Sequence, residues 1–200
     1  MHRTLSLLAL GITLALTAAE PMVSMTIKSI KAVDVMRDNK DQWRVKGYLN
    51  DPDGVTVPLI SDEGVTLGLE NGNQDTVANA VFNVDDCKLL NNDKGIVCKV
   101  KGARISLKRL NRVPKDAVIN AQHNKNKTSG TSSYYTISGT FRHQQFENTL
   151  SKPLTVIAGI GGEDLEDTNY ACKEKTGSKA TKLFCKPGTA TPTPGPTFPI

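Results

Sequence analysis

The run from Ile96 to Leu107, Ile-Val-Cys-Lys-Val-Lys-Gly-Ala-Arg-Ile-Ser-Leu, decides the fold class. Ile96, Cys98 and Val100 stand on one parity, and Ala103, Ile105 and Leu107 on the other. Alternation of this kind marks strands with one buried face, because successive side chains of a strand point to opposite sides. The parity flips at Gly102. A glycine at such a flip predicts a bulge or corner in one strand, or a break into two.

The same period recurs on both sides of this run. Trp43, Val45 and Leu49 alternate with Arg44, Lys46 and Tyr48, and Val65, Leu67 and Leu69 follow the turn Ser61-Asp62-Glu63-Gly64. Ala80, Phe82 and Val84 alternate, as do Tyr135, Ile137 and Phe141, and then Leu154, Val156, Ala158 and Ile160. No long window carries a 3.6-residue apolar stripe. Eight or so half-buried strands need two packed sheets or a closed barrel. The fold expected is all-β, an antiparallel β-sandwich of immunoglobulin-like or jelly-roll-like type.

The 200 residues suit one domain. Hydrophobic residues make up 38%, aromatic residues 5% and charged residues 22%, so the core is modest and disorder driven by charge is excluded. No internal run approaches the ~20 apolar residues of a membrane span. Residues 1–19 read as a signal peptide: Arg3, an apolar stretch from Leu5 to Leu16, then Thr17-Ala18-Ala19 with cleavage near Ala19. Residues 20–42 read as a lead-in in which Thr26–Val35 is a possible edge strand. Residues 43–186 form the sandwich. Residues 187–200, with five of the ten prolines, form a solvated tail.

Export to an oxidising compartment makes Cys87, Cys98, Cys172 and Cys185 candidates for two disulfides. Four cysteines allow three pairings. Turn-like centres at Asn91–Gly95 and Thr176–Lys179 favour Cys87–Cys98 and Cys172–Cys185, each closing a hairpin. Zinc is disfavoured because neither interval is a short knuckle.

From Gly47 to Pro187 the order of features resembles secreted bacterial β-repeat proteins of no named function. The residues carrying the likeness are Val45-Lys46-Gly47, Gly64-Val65-Thr66-Leu67, Cys98-Lys99 and Pro153-Leu154-Thr155-Val156, present in one copy. The resemblance implies secretion and a β fold and brings no activity.

Charge is segregated along the chain beneath a net charge of +5. Residues 34–86 hold four basic and eleven acidic side chains, whereas residues 87–153 hold thirteen basic and three acidic. Lys99, Lys101, Arg104 and Lys108 oppose the apolar parity of their segments and are expected to project from one side of one strand path. Three roles are open to them. They could pair with acidic strands of 34–86 in the same sheet, or dock a polyanion such as an acidic glycan or anionic surface. They could also join molecules head to tail through the acidic 34–86 and basic 87–153 regions. Specific nucleic-acid recognition is not expected, for no recognition motif or aromatic interleaving accompanies the lysines.

Catalytic patterns are missing. His123 and His143 read as exposed structural residues, and no nucleophile, zinc or phosphate-loop motif occurs. Asp85-Asp86 and Glu163–Asp167 could serve a glycosidase only if folded to face each other across a cleft. The second cluster reads as a loop, with weak calcium binding as the alternative. Asn50-Asp51-Pro52-Asp53-Gly54 reads first as a turn, and Asn126-Lys127-Thr128 is a glycosylation sequon. The expectation is a secreted, non-enzymatic binding or structural module without cofactor or metal. A self-associating subunit and a hydrolase are the alternatives.

Overall fold

The structure, a computed structural model, describes residues 23–36, 40–90, 94–111, 114 and 133–188. The signal peptide with its cleavage site, His123, the sequon at Asn126 and the tail beyond residue 188 lie outside the described residues. Two antiparallel sheets pack face to face, one of eight strands and one of four. In chain order the strands are β1 (Ser24–Val35), β2 (Asp41–Asp51), β3 (Val65–Glu70), β4 (Thr76–Phe82), β5 (Cys87–Leu89) and β6 (Gly95–Val100). There follow β7 (Ala103–Arg109), β8 (Ser133–Gln144), β9 (Leu154–Ile160), β10 (Glu163–Asn169), β11 (Ala171–Gly177) and β12 (Ala180–Lys186). The larger sheet runs β11-β12-β1-β2-β8-β7-β6-β5, and the smaller β10-β9-β3-β4.

The alternating residues fill the space between the sheets. Trp43, Phe141, Leu67, Ile105, Leu107 and Val156 are buried. Trp43 of β2 stacks on Phe141 of β8 with ring centroids 3.9 Å apart, and Phe82 of the opposite sheet tilts against Phe141 at 6.4 Å. These three aromatic residues therefore sit together in the core, where each removes a large apolar surface from water.

Both disulfides form as the turn chemistry suggests. Cys87 stands directly opposite Cys98, and Cys172 opposite Cys185, each pair bonded across one hairpin. The chain breaks at Gly102 into two strands joined by a tight turn, with Gly102 at φ 79°. That left-handed backbone suits glycine, which has no Cβ to obstruct it.

Four expectations are corrected. Thr26–Val35 is no edge strand: β1 lies between β12 and β2, so the folded unit begins well before residue 43. Its period is broken by a bulge between Ile27 and Ser29, so its buried face does not show as a steady alternation. Glu163–Asp167 is not a loop but most of edge strand β10, paired with β9 along its length. Val84 does not continue the alternation of Ala80 and Phe82; it starts a 3-10 turn, Val84–Asp86, and is exposed. Finally, Lys99, Lys101, Arg104 and Lys108 do not share one strand path, because Lys101 occupies the turn between β6 and β7.

A short helix, α1 (Thr56–Glu63), follows Asn50–Gly54. Asp51 is fully buried there and accepts the backbone N–H of Val55 at 3.1 Å and of Thr56 at 2.9 Å. With its carboxylate committed to these otherwise unpaired helix N–H groups, the segment is a capped turn.

The candidate functional site is the outer face of the larger sheet

Register decides which side chains share this face. In one row running across the strands, Lys99 opposes Arg104, Arg104 opposes Thr140, Thr140 opposes Arg44, and Arg44 opposes Lys31. Lys31 opposes Phe184, which opposes Lys173. The row crosses seven neighbouring strands, and at ~4.8 Å per strand it spans roughly 29 Å. All five of its cationic side chains are exposed.

A second row carries Lys88, Val97, Ser106, Ser138, Lys46 and Ser29 in consecutive opposition. A third carries Lys108, Thr136, Tyr48 and Thr26. On the other side of the first row, Val33 opposes Lys182, which opposes Lys175. The acidic residues of these eight strands are Asp34, Asp41, Asp51 and Glu174, and the register puts every one on the opposite, inward parity. Among the described residues, the outward positions of the larger sheet thus carry lysine and arginine and no carboxylate.

Three of these acids lie in or beside the core, whereas Glu174 is exposed on edge strand β11 and accepts the Thr176 hydroxyl at 3.0 Å. Asp41 is buried and accepts the N–H of Val35 at 2.7 Å and of Phe146 at 2.8 Å. Asp34 is part-buried beside it; burial pushes its carboxyl above the usual range, and the neighbouring Asp41 charge adds to the rise. Asp167 of β10 reaches across to accept the N–H of Ile27. Burial raises its carboxyl too, against the lowering effect of the Ile27 and Thr168 backbone N–H groups.

Lys99, Arg104 and Lys108 therefore project from one face, as expected, and Lys101 is exposed at its rim. The structure does not pair these residues with acidic strands of 34–86. The cross-strand neighbours of Lys99, Arg104 and Lys108 are Gly95, Thr136, Thr140 and one another, and β8 separates β7 from β2. Asp85 and Asp86 come nearest, lining a hollow with Lys88, Lys99 and Arg104. Asp86 already accepts the N–H of Asn83 at 2.9 Å.

Residues missed from the sequence are Lys31, Arg44, Lys46, Lys173 and Lys182. Arg44 and Lys46 lie inside the segment whose total charge is acidic, so a segment sum conceals them. Alternation was the available signal: the bases of β2 sit on one parity and its acids on the other.

The smaller sheet has the opposite sign. Its outward positions include Glu70 on β3 and Asp164 and Glu166 on β10, with no lysine or arginine among them. His143 is exposed at the end of β8. Among the described residues no three His, Cys, Asp or Glu side chains are grouped to hold a metal. No helix of the described residues is long and apolar enough to cross a membrane, and the two disulfides fit an extracellular or otherwise oxidising compartment. No protein-family model, no curated protein and no solved structure matches the chain.

Proposed function

We propose that this chain is a secreted, non-enzymatic binding module that docks an acidic polysaccharide on the outer face of its larger sheet. The observation carrying this reading is the row Lys99, Arg104, Arg44, Lys31, Lys173, with no carboxylate at any outward position of its strands. Like charges opposed across strands oppose folding, so their retention is accounted for by a ligand that neutralises them. The likeness to secreted β-repeat proteins is consistent with that role.

The polysaccharide is favoured over other polyanions by what lies between the cations. Thr140, Ser138, Thr136 and Ser29 line the rows with hydroxyls able to meet sugar hydroxyls. The only large exposed apolar side chain in the first row is Phe184, too little to insert into a lipid surface. Calorimetric titration with heparin tests the reading. Affinity is expected to fall steeply between low and physiological salt, as the electrostatic reach shortens to ~8 Å, and neutral dextran is expected not to bind. Equal binding of dextran, or no binding of heparin at low salt, would overturn it.

A second reading rests on the acidic outer face of the smaller sheet. Its contact with the cationic face of another copy is heterologous and would build rings or filaments. Light scattering then shows a mass that grows with protein concentration and collapses in high salt.

A further inference from the structure

A groove of about 270 Å³ opens in the cationic face beside the bulge of β1, lined by Lys28, Ser29, Lys46, Tyr48, Thr136 and Ser138. Its shape has a local cause. The extra residue at the bulge shifts the register between Ile27 and Ser29, which bends the strand and turns Lys28 out of the regular pleat. Gly47 admits this bend: a Cβ there would lie 2.3 Å from the Thr26 carbonyl oxygen. Bulges re-aim side chains in this way at functional surfaces.

The result is a groove that two cations, Lys28 and Lys46, line together. The Lys28 ammonium lies over the Tyr48 ring, 4.7 Å from its centroid, and Lys46 stands beside Tyr48 on β2. The attraction between ammonium and ring face favours this position of the Lys28 side chain. Between the two cations, Ser29 opposes Lys46, and Lys46 opposes Ser138. The next residue in that row, Ser106, is 6% exposed, and its hydroxyl has no partner among the described residues. Thr136 already donates its hydroxyl to the Lys108 carbonyl at 3.3 Å, leaving the serines as the hydroxyls open to a ligand.

We infer that this groove is the discrete anion subsite of the face, holding one sulfate of the acidic polysaccharide between Lys28 and Lys46. The inference rests on the polysaccharide reading above. Tyr48 is a positioning residue: it acts through Lys28 and needs its ring, not its hydroxyl. Ser29 and Ser138 donate to the remaining anion oxygens. The rows elsewhere contribute diffuse attraction, whereas the groove selects a group of defined size.

Titration of a heparin hexasaccharide, with polyaspartate as a second polyanion, tests this on the folded protein. Tyr48→Leu is expected to weaken hexasaccharide binding by about tenfold, the equivalent of one charge-assisted contact, with Tyr48→Phe unchanged. Ser138→Ala is expected to weaken the hexasaccharide and leave polyaspartate unchanged, while Lys31→Gln, outside the groove, weakens both alike. If Tyr48→Phe loses as much as Tyr48→Leu, the positioning role is wrong. If Tyr48→Leu and Ser138→Ala bind the hexasaccharide normally while Lys31→Gln does not, the polysaccharide reading survives and the subsite fails. If nothing binds to the unaltered protein, the wider reading fails first.

Discussion

Replacing Lys31 by glutamate should make the protein more stable while weakening polyanion binding. Lys31 faces Arg44 on one side and Phe184 on the other, so its only charged direct neighbour has the same sign. At roughly 6 Å separation in water, two unit charges repel by about 0.7 kcal/mol, and reversing one turns that repulsion into a similar attraction. Cross-strand charge pairs are worth ~0.2–1 kcal/mol each, which holds the net gain of Lys31→Glu to about 1 kcal/mol. In a domain of this size that raises the thermal midpoint by roughly 2–4 °C. Lys31→Gln, removing the repulsion without adding attraction, should give about half. The assay is thermal unfolding followed by near-ultraviolet circular dichroism at low salt and in 1 M salt, where screening to ~3 Å should erase most of the difference. A lower midpoint for Lys31→Glu at low salt, or a gain that persists unchanged in 1 M salt, would refute the reasoning. Either result would mean that Lys31 has an acidic partner or that packing of its stem dominates.

Three further outcomes follow from particular contacts. Replacing Cys172 and Cys185 by alanine opens a loop with a sequence separation of 13 and should cost about 3 kcal/mol in denaturant unfolding. Gly47→Ala sets a methyl 2.3 Å from the Thr26 carbonyl oxygen, and should cost ~1–3 kcal/mol as an overpacked site. Asp34 has its carboxyl raised from 3.8, so the folded state holds that proton more tightly than the unfolded state. Its contribution is fully present below pH 3.8 and lost as pH rises through the raised value. Asp34→Asn should therefore raise the thermal midpoint near neutral pH and change it little in acid, as thermal scans across pH would show.

The sandwich was legible because its buried strands carry strict alternation: Trp43, Val45 and Leu49, or Leu154, Val156, Ala158 and Ile160. The hairpin disulfides were legible from turn chemistry. Strands whose pairing rests on backbone alone were not. Lys173, Glu174 and Lys175 of β11 are all exposed, so that edge strand shows no alternation and only its cysteine and the following turn marked it. In β10 only Leu165 looks apolar, and Asp167 faces inward because it accepts the Ile27 N–H. The alternation of β1 is interrupted by its bulge, where one added residue puts Ile27 and Ile30 on the same face three positions apart.

The cationic face was half legible for a related reason. Summed by segment, the chain divides at residue 87 into acidic and basic parts. Folded, the division is between faces: Arg44 and Lys46 go outward, while Asp41 and Asp51 of the same strand turn inward to accept backbone N–H groups. Only register, which assembles residues from Lys31 to Lys173 into one row, turns that pattern into a surface.

The most direct test is an amide-resolved nuclear magnetic resonance titration of the isotope-labelled protein with a heparin hexasaccharide at low salt. The account predicts shifts concentrated on Lys28, Ser29, Lys31, Arg44, Lys46 and Ser138, extending to Lys99 and Arg104 with longer oligosaccharides, and absent from Glu70, Asp164 and Glu166. Shifts centred on the smaller sheet, or none at saturating ligand, would contradict it.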